Sequence, residues 1–343
     1  MSSGASARAL APRRRALVVD TDGGVDDAQA LLAAFRDRDR TRVVAITTVA
    51  GNVSVEQATL NVCATIAAAE LDAGDVPPVF VGADRPLLQP FAPALEWHGA
   101  DGLGGTGFGA ASSQAAVRRG EHGAMALIRV AEEFAASSPG EELTLVTLGP
   151  LTNVALAVRL CPRLPSLFAR LVLMGGASDA QGNAEGSASA EFNAHADPEA
   201  AAVVVEAFGG SSPPRLVLVT WDLTLRSGLP LPFVNGEWFG RAGSRRSEWL
   251  RAVSEHLQAA SRKECGSDEN YARTGFLIPD PLAMCVALRP EVVTRSRAQS
   301  VSVELAGRHT RGMTVVDWRR PGGVVVVDAV DMALVKELLL ASL

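Results

Sequence analysis

Short β-branched runs alternate with longer helical patterns along most of this chain, and that alternation restricts the fold more than any other feature. Ala16–Asp20 is the first such run; Ala28, Leu31, Leu32 and Phe35 then recur on one helix face over Asp27–Asp37. Arg42–Val49 reads as a second strand and Val55–Leu71 as a second helix. Val79–Val81, Leu143–Thr147, Leu171–Met174 and Leu216–Thr220 read as further strands, mostly separated by Ala-rich helical stretches. Such repetition predicts an α/β fold with an open, mostly parallel, doubly wound (Rossmann-like) sheet. The end of the chain departs from the rhythm. Val301–Leu305, Met313–Asp317 and Val324–Val327 read as a small β-rich C-terminal extension, with a turn at Pro321-Gly322 and a last helix at Met332–Leu340. With no internal repeat and no linker, residues 15–343 read as a single domain behind a disordered N-terminal tail, residues 1–14.

The composition permits a large core: of 343 residues, 48% are hydrophobic and 20% charged. Ala, Val, Leu and Gly dominate, and such small or branched side chains suit a parallel sheet covered on both faces. The formal net charge of -6, without a basic stripe, argues against a nucleic-acid partner and leaves a small neutral ligand open. Cys63, Cys161, Cys265 and Cys285 lie far apart with no C-x-x-C spacing, as expected of free thiols in a reducing cytoplasm. No apolar run reaches membrane-spanning length. The Ser/Ala/Arg-rich, acid-free tail is the one segment that could carry an organelle address.

Ligands of open α/β sheets bind beyond the carboxyl ends of the strands. There, after the first strand, stands Asp20-Thr21-Asp22-Gly23-Gly24-Val25-Asp26-Asp27. Carboxylates so close repel one another unless a cation neutralises them. A helix dipole stabilises an acid in its first turn by only ~0.3–1 kcal/mol, enough to explain one cap and not the group. Oxygen-only donors point to a hard ion, Ca²⁺ or Mg²⁺. The plainer alternative is that Asp26 caps the helix and the rest are solvated. The turn alone does not choose a reaction, since a strand-end Asp-x-Asp also begins the aspartate-nucleophile phosphatases. Other strand ends carry polar turns in the same relative place: Gly51-Asn52, Leu148-Gly149-Pro150-Leu151-Thr152-Asn153 and Met174-Gly175-Gly176.

Taken in order, these blocks resemble the nucleoside hydrolases, the inosine–uridine-preferring N-ribohydrolase family. The resemblance runs from Asp20-x-Asp22-x-Gly24-x-Asp26-Asp27-Ala28 through Gly51-Asn52, His98-Gly99 and Gly149–Asn153. It continues through Met174-Gly175-Gly176, Ala190-Glu191-Phe192-Asn193 and Asp197-Pro198-Glu199 to Asp280-Pro281-Leu282-Ala283. What it implies is Ca²⁺-dependent hydrolysis of the N-glycosidic bond of ribonucleosides, in a homodimer or homotetramer. The family's metal ligands fall on Asp22, Asp27, Asp280 and the backbone carbonyl of Leu148, with Asp22 also the base toward the attacking water. Its sugar ligands fall on Asp26 and Asn52 for the 2′ and 3′ side, and on Asn183, Glu191 and Asn193 for the 3′- and 5′-hydroxyls. In addition, Glu191-x-Asn193 would set two polar side chains on one face of an extended segment. Asp20 reads as a support behind the site, and Asp197 and Asp222 as structural acids.

At one position the chain departs from the family. Non-specific members place a His directly before the late Asp, and purine-specific members a Trp; this chain has Pro279. His98 is therefore the first candidate to contact the leaving base, with Trp97 and Tyr271 as aromatic alternatives. Two rivals follow from the residues: a nucleoside-binding protein without turnover, and a phosphatase using Asp20 and Asp22 with Mg²⁺.

Overall fold

The computed structural model describes residues 15–343; the tail expected at residues 1–14 lies outside them. The strands are β1 (Arg15–Thr21), β2 (Thr41–Thr48), β3 (Val79–Val81), β4 (Val117–Arg118), β5 (Leu143–Thr147), β6 (Arg170–Met174), β7 (Leu216–Val219), β8 (Val293–Val303), β9 (Thr314–Asp317) and β10 (Val324–Val330). The first helices are α1 (Val25–Arg36), α2 (Val55–Ala68), α3 (Leu95–His98), α4 (Gly123–Ser137), α5 (Thr152–Leu160), α6 (Leu164–Leu167) and α7 (Phe192–Ala196). Then come α8 (Pro198–Gly209), α9 (Trp221–Arg226), α10 (Arg245–Glu264), α11 (Asp268–Thr274), α12 (Pro279–Leu288) and α13 (Met332–Ala341).

The strands form one sheet in the order β4-β3-β2-β1-β5-β6-β7-β10-β8-β9. Every pairing from β4 to β10 is parallel, and β8 and β9 then add antiparallel. The expected mostly parallel α/β architecture is present. Its β-rich C-terminal part continues the main sheet, because β10 runs parallel to β7 before turning the edge antiparallel. The edge strand β8 begins at Val293, well before the apolar run that betrays it, since Thr294–Ala298 are exposed and show no buried alternation.

Both faces of the sheet are covered, and β1 shows why. Leu17 and Val19 point into one apolar layer, with α1, α12 and α13; Ala16 and Val18 point into the other, with α4, α5 and α8. Helix α1 is buried along its whole length from Val25 to Phe35, Asp26, Asp27 and Gln29 included, so it is enclosed nearly all round. Each fully buried Leu or Val in these layers contributes roughly 1.5–3 kcal/mol relative to leaving it exposed. Local signals set the helix starts. Asp27 reaches back to accept from Gly24 N–H (2.8 Å) at the start of α1. Asp197 accepts from Ala200 N–H (3.1 Å) and Pro198 takes the first position of α8, as read from the sequence. Among the described residues, no helix is long and apolar enough to cross a membrane.

Candidate active site

Strand β1 lies at the centre of the parallel part, and the loop beyond its carboxyl end carries the acidic turn into the buried start of α1. Asp22 and Asp27 are fully buried, and Asp26, Asp280 and Asn52 nearly so. Single oxygens of Asp26, Asp27 and Asp280 lie within 4.8 Å of one another. Asp280 arrives from 253 residues further along the chain than Asp27, at the second position of α12, where Pro279 opens the helix with φ already suited to it. Asp22 adjoins this trio through Asn52, whose backbone N–H and Nδ2 donate to its two oxygens (2.7 and 3.0 Å). The same Nδ2 lies 3.3 Å from Asp27 Oδ2, and Thr21 Oγ1 donates to Asp27 Oδ1. Sequence reading set Asp26 on the sugar and Asp22 on the ion; the structure groups Asp26 most tightly with Asp27 and Asp280.

Two glycines make room for Asp22. A Cβ on Gly51 would stand 2.1 Å from Asp22 Oδ2, and one on Gly149 would stand 2.9 Å from its Cβ. The Gly-containing turns at the ends of β2 and β5 are thus close-approach positions around one carboxylate. They are more than chain reversals.

The electrostatics fit a cation site. Burial, and then repulsion by Asp27, holds Asp22 well above the ordinary carboxylate range. Asp280 is raised likewise, by burial first and then by Asp26, Asp27 and Asp22. Asp26 is pushed up to about 7 by burial and by Asp27. Among the described residues no Lys or Arg forms an ion pair with these acids, and Asp26 Oδ1 is buried without a hydrogen-bond partner. Four mutually repelling carboxyls with an orphaned oxygen and only oxygen donors suit Ca²⁺ or Mg²⁺.

The remaining predicted residues divide. Leu148 hangs from β1 through its N–H to Asp20 O (2.9 Å), and its carbonyl accepts from Asn193 Nδ2 (2.8 Å). Glu191 is buried and raised to about 7, mainly by burial and against three backbone donors: Asn193, Gly176 and Ala194. It caps α7, so the Glu191–Asn193 segment is a helix start rather than the extended stretch expected. A carboxylate that accepts from N–H groups two and three residues ahead favours that turn. Asn183 is exposed, and its Oδ1 accepts from Phe192 N–H (2.8 Å). His98 ends α3, where its Nδ1 accepts from Val25 N–H (3.1 Å) and lies 3.7 Å from Asp26 Oδ1. That bond leaves the ring proton on Nε2, and burial pushes the imidazole down to about 4, so it is neutral at pH 7. Trp97 is half-buried. Tyr271 is buried in α11, its hydroxyl without a partner among the described residues.

Behind the acids, Asp20 accepts from Thr47 Oγ1 and from Asn153 Nδ2 (2.8 Å), and burial raises it to about 7. Asn153 also donates to Thr48 O (2.9 Å) and accepts from Ala83 N–H (2.8 Å), tying three strand ends together. Its sequence signal was the Gly-Pro-Leu-Thr-Asn turn, which named the residue without showing its partners. Asp222 accepts from Ser178 Oγ (3.1 Å) and Asp179 N–H (3.2 Å), a structural acid as read. A shallow cleft lined by Arg42, Phe80 and Arg129 lies apart from these acids, and its guanidinium groups are already paired with glutamates.

The profile of the inosine-uridine preferring nucleoside hydrolases matches residues 17–337. The chain belongs to that family. A non-specific ribonucleoside hydrolase, RihC of Salmonella enteritidis PT4, is 35% identical over 301 residues, covering 88% of this chain and 87% of the relative. Among solved structures, an inosine-guanosine nucleoside hydrolase superposes with a TM-score of 0.81 at 33% identity, covering 96% of this chain and 98% of the other. A plant nucleoside hydrolase, PpNRh1, gives 0.80 at 28% identity, over 95% and 97%. Membership sets the phosphatase rival aside.

Proposed function

We propose that this nucleoside hydrolase splits the N-glycosidic bond of ribonucleosides to ribose and free base, with Ca²⁺ at the acidic turn. The observation that supports it best is the convergence of Asp22, Asp26, Asp27 and Asp280 in one buried, mutually repelling group. Asp22, Asp27, Asp280 and the Leu148 carbonyl would hold the ion, with Asp26 beside it. When bound, Ca²⁺ would offset the charge repulsion, anchor ribose hydroxyls and make a nearby water more acidic.

Asp22 then takes a proton from the water that attacks the anomeric carbon, held in aim by the two donors of Asn52. As the glycosidic bond lengthens, the ribose gains oxocarbenium character, which the surrounding carboxylates stabilise. Asp26 and Asn52 hold the 2′ and 3′ side of the sugar, and Asn183, Glu191 and Asn193 the 3′- and 5′-hydroxyls. Three backbone donors fill Glu191 except for one acceptor position on Oε1, room for one hydroxyl. The electron pair of the broken bond goes to the base nitrogen, which takes its proton from solvent, and the neutral His98 offers its Nε2–H to the departing base as a hydrogen bond.

The test is ribose release from inosine, uridine and adenosine, followed by reducing-sugar assay and chromatography of the free base. Release of ribose and base from at least one of them is expected. Binding of ribosides with no cleavage would instead establish a binding protein without turnover.

A further inference from the structure

The edge hairpin β8–β9 touches the segment that carries Glu191. Gly312 lies against the backbone of α7, where a Cβ would come within 2.8 Å of His195 Cα. Arg311 pairs with both oxygens of Glu199 on α8 (2.7 and 2.9 Å). At the start of β9, the buried Thr314 Oγ1 accepts from the N–H of Ala177, which is itself fully buried (3.0 Å). Ala177 follows Gly176, and Gly176 N–H donates to Glu191 Oε2 (2.8 Å). Gly176 has φ +71, and a Cβ there would stand 2.3 Å from Thr314 Oγ1, so this turn is pressed directly against the hydroxyl.

We infer that Thr314 is a positioning residue for Glu191, acting through the Gly176-Ala177 turn, and so sets how well the enzyme recognises the ribose hydroxyls. The inference rests on the proposed role of Glu191 as a sugar ligand. Thr314→Val keeps the shape and removes the acceptor, leaving the Ala177 N–H buried and unpaired, which the turn can relieve only by moving. Movement of Gly176 carries its N–H away from Glu191. The path from Thr314 to Glu191 meets no acid of the turn and reaches the ion site only at one remove, where Asn193 bonds the Leu148 carbonyl, so ion binding changes far less than sugar recognition.

The experiment compares kcat/KM for inosine and 5′-deoxyinosine in the full-length protein, its Glu191→Gln reference, Thr314→Val and Thr314→Ser, with Ca²⁺ affinity measured on each. Glu191→Gln is expected to lower the preference for inosine. Thr314→Val should lower it about tenfold, chiefly through KM, with faster amide exchange across residues 175–194; Thr314→Ser should restore both. Ca²⁺ affinity should change far less than the preference among the four. A wild-type preference in Thr314→Val, no rescue by Ser, or loss of Ca²⁺ affinity in step with the preference would overturn the inference while leaving Glu191 in place. An unchanged preference in Glu191→Gln would remove the role of Glu191 itself, and the inference with it.

Discussion

Asp22 and Asp20 sit two residues apart, both fully buried, yet their surroundings give them different work. Asp20 faces Thr47 and Asn153 within the sheet, whereas Asp22 faces Asn52 and the acids of α1 and α12. Asp22→Asn keeps the shape and cannot take a proton, so kcat should fall by about 10²–10⁴, the usual range for a lost general base. Asp20→Asn should cost markedly less, because it alters a support rather than a reacting group. Steady-state base release from inosine checks both, and a larger loss at Asp20 than at Asp22 would reverse the assignment. His98 shows how far a residue type can be read alone: the sequence offers it as a candidate to contact the base, and the structure sets it beside Asp26. Its tautomer was not legible, because that follows from a Val25 N–H lying 73 residues away.

At the scale of elements, the strand ends were legible because each couples a β-branched run to a glycine turn. Gly51 and Gly149 stood out as turn formers; their closeness to Asp22 needed three strands side by side, which no local pattern encodes. Gly51→Ala would force a methyl into the Asp22 carboxylate. It should weaken Ca²⁺ binding at least about tenfold, or ~1.4 kcal/mol, in a calorimetric titration. Unaltered affinity would mean that Asp22 is not held against that turn. The Glu191–Asn193 segment misled for a different reason. Helix α7 has only five residues, too few to show a helical period, so alternate polar residues mimic an extended strand. The tail misled in its extent, since β8 pairs along exposed polar residues that carry no buried alternation. Asn183 was placed by motif alone, and its side chain is engaged with the backbone of Phe192.

For the whole molecule, burying these acids links stability to pH. Asp20, Asp26 and Glu191 are raised to about 7 from ordinary values of 3.8, 3.8 and 4.5. Between those values and pH 7 the folded protein keeps protons that the unfolded chain has released. Their contribution is therefore fully present near pH 4 and is lost as the pH rises through 7. Chelator-treated protein should melt lower at pH 8 than at pH 5.5, on the order of 5 °C for a chain of this size. Saturating Ca²⁺ should flatten or reverse that slope by stabilising the ionised acids, and should release protons on binding. A slope that is the same with and without Ca²⁺ would separate the acids from the ion. The central claim meets its most direct test in one assay: ribose released from inosine by protein stripped of divalent ions, before and after Ca²⁺ is returned. Hydrolysis absent without the ion and restored by it is the expected result; hydrolysis at full rate in the stripped protein would contradict the account.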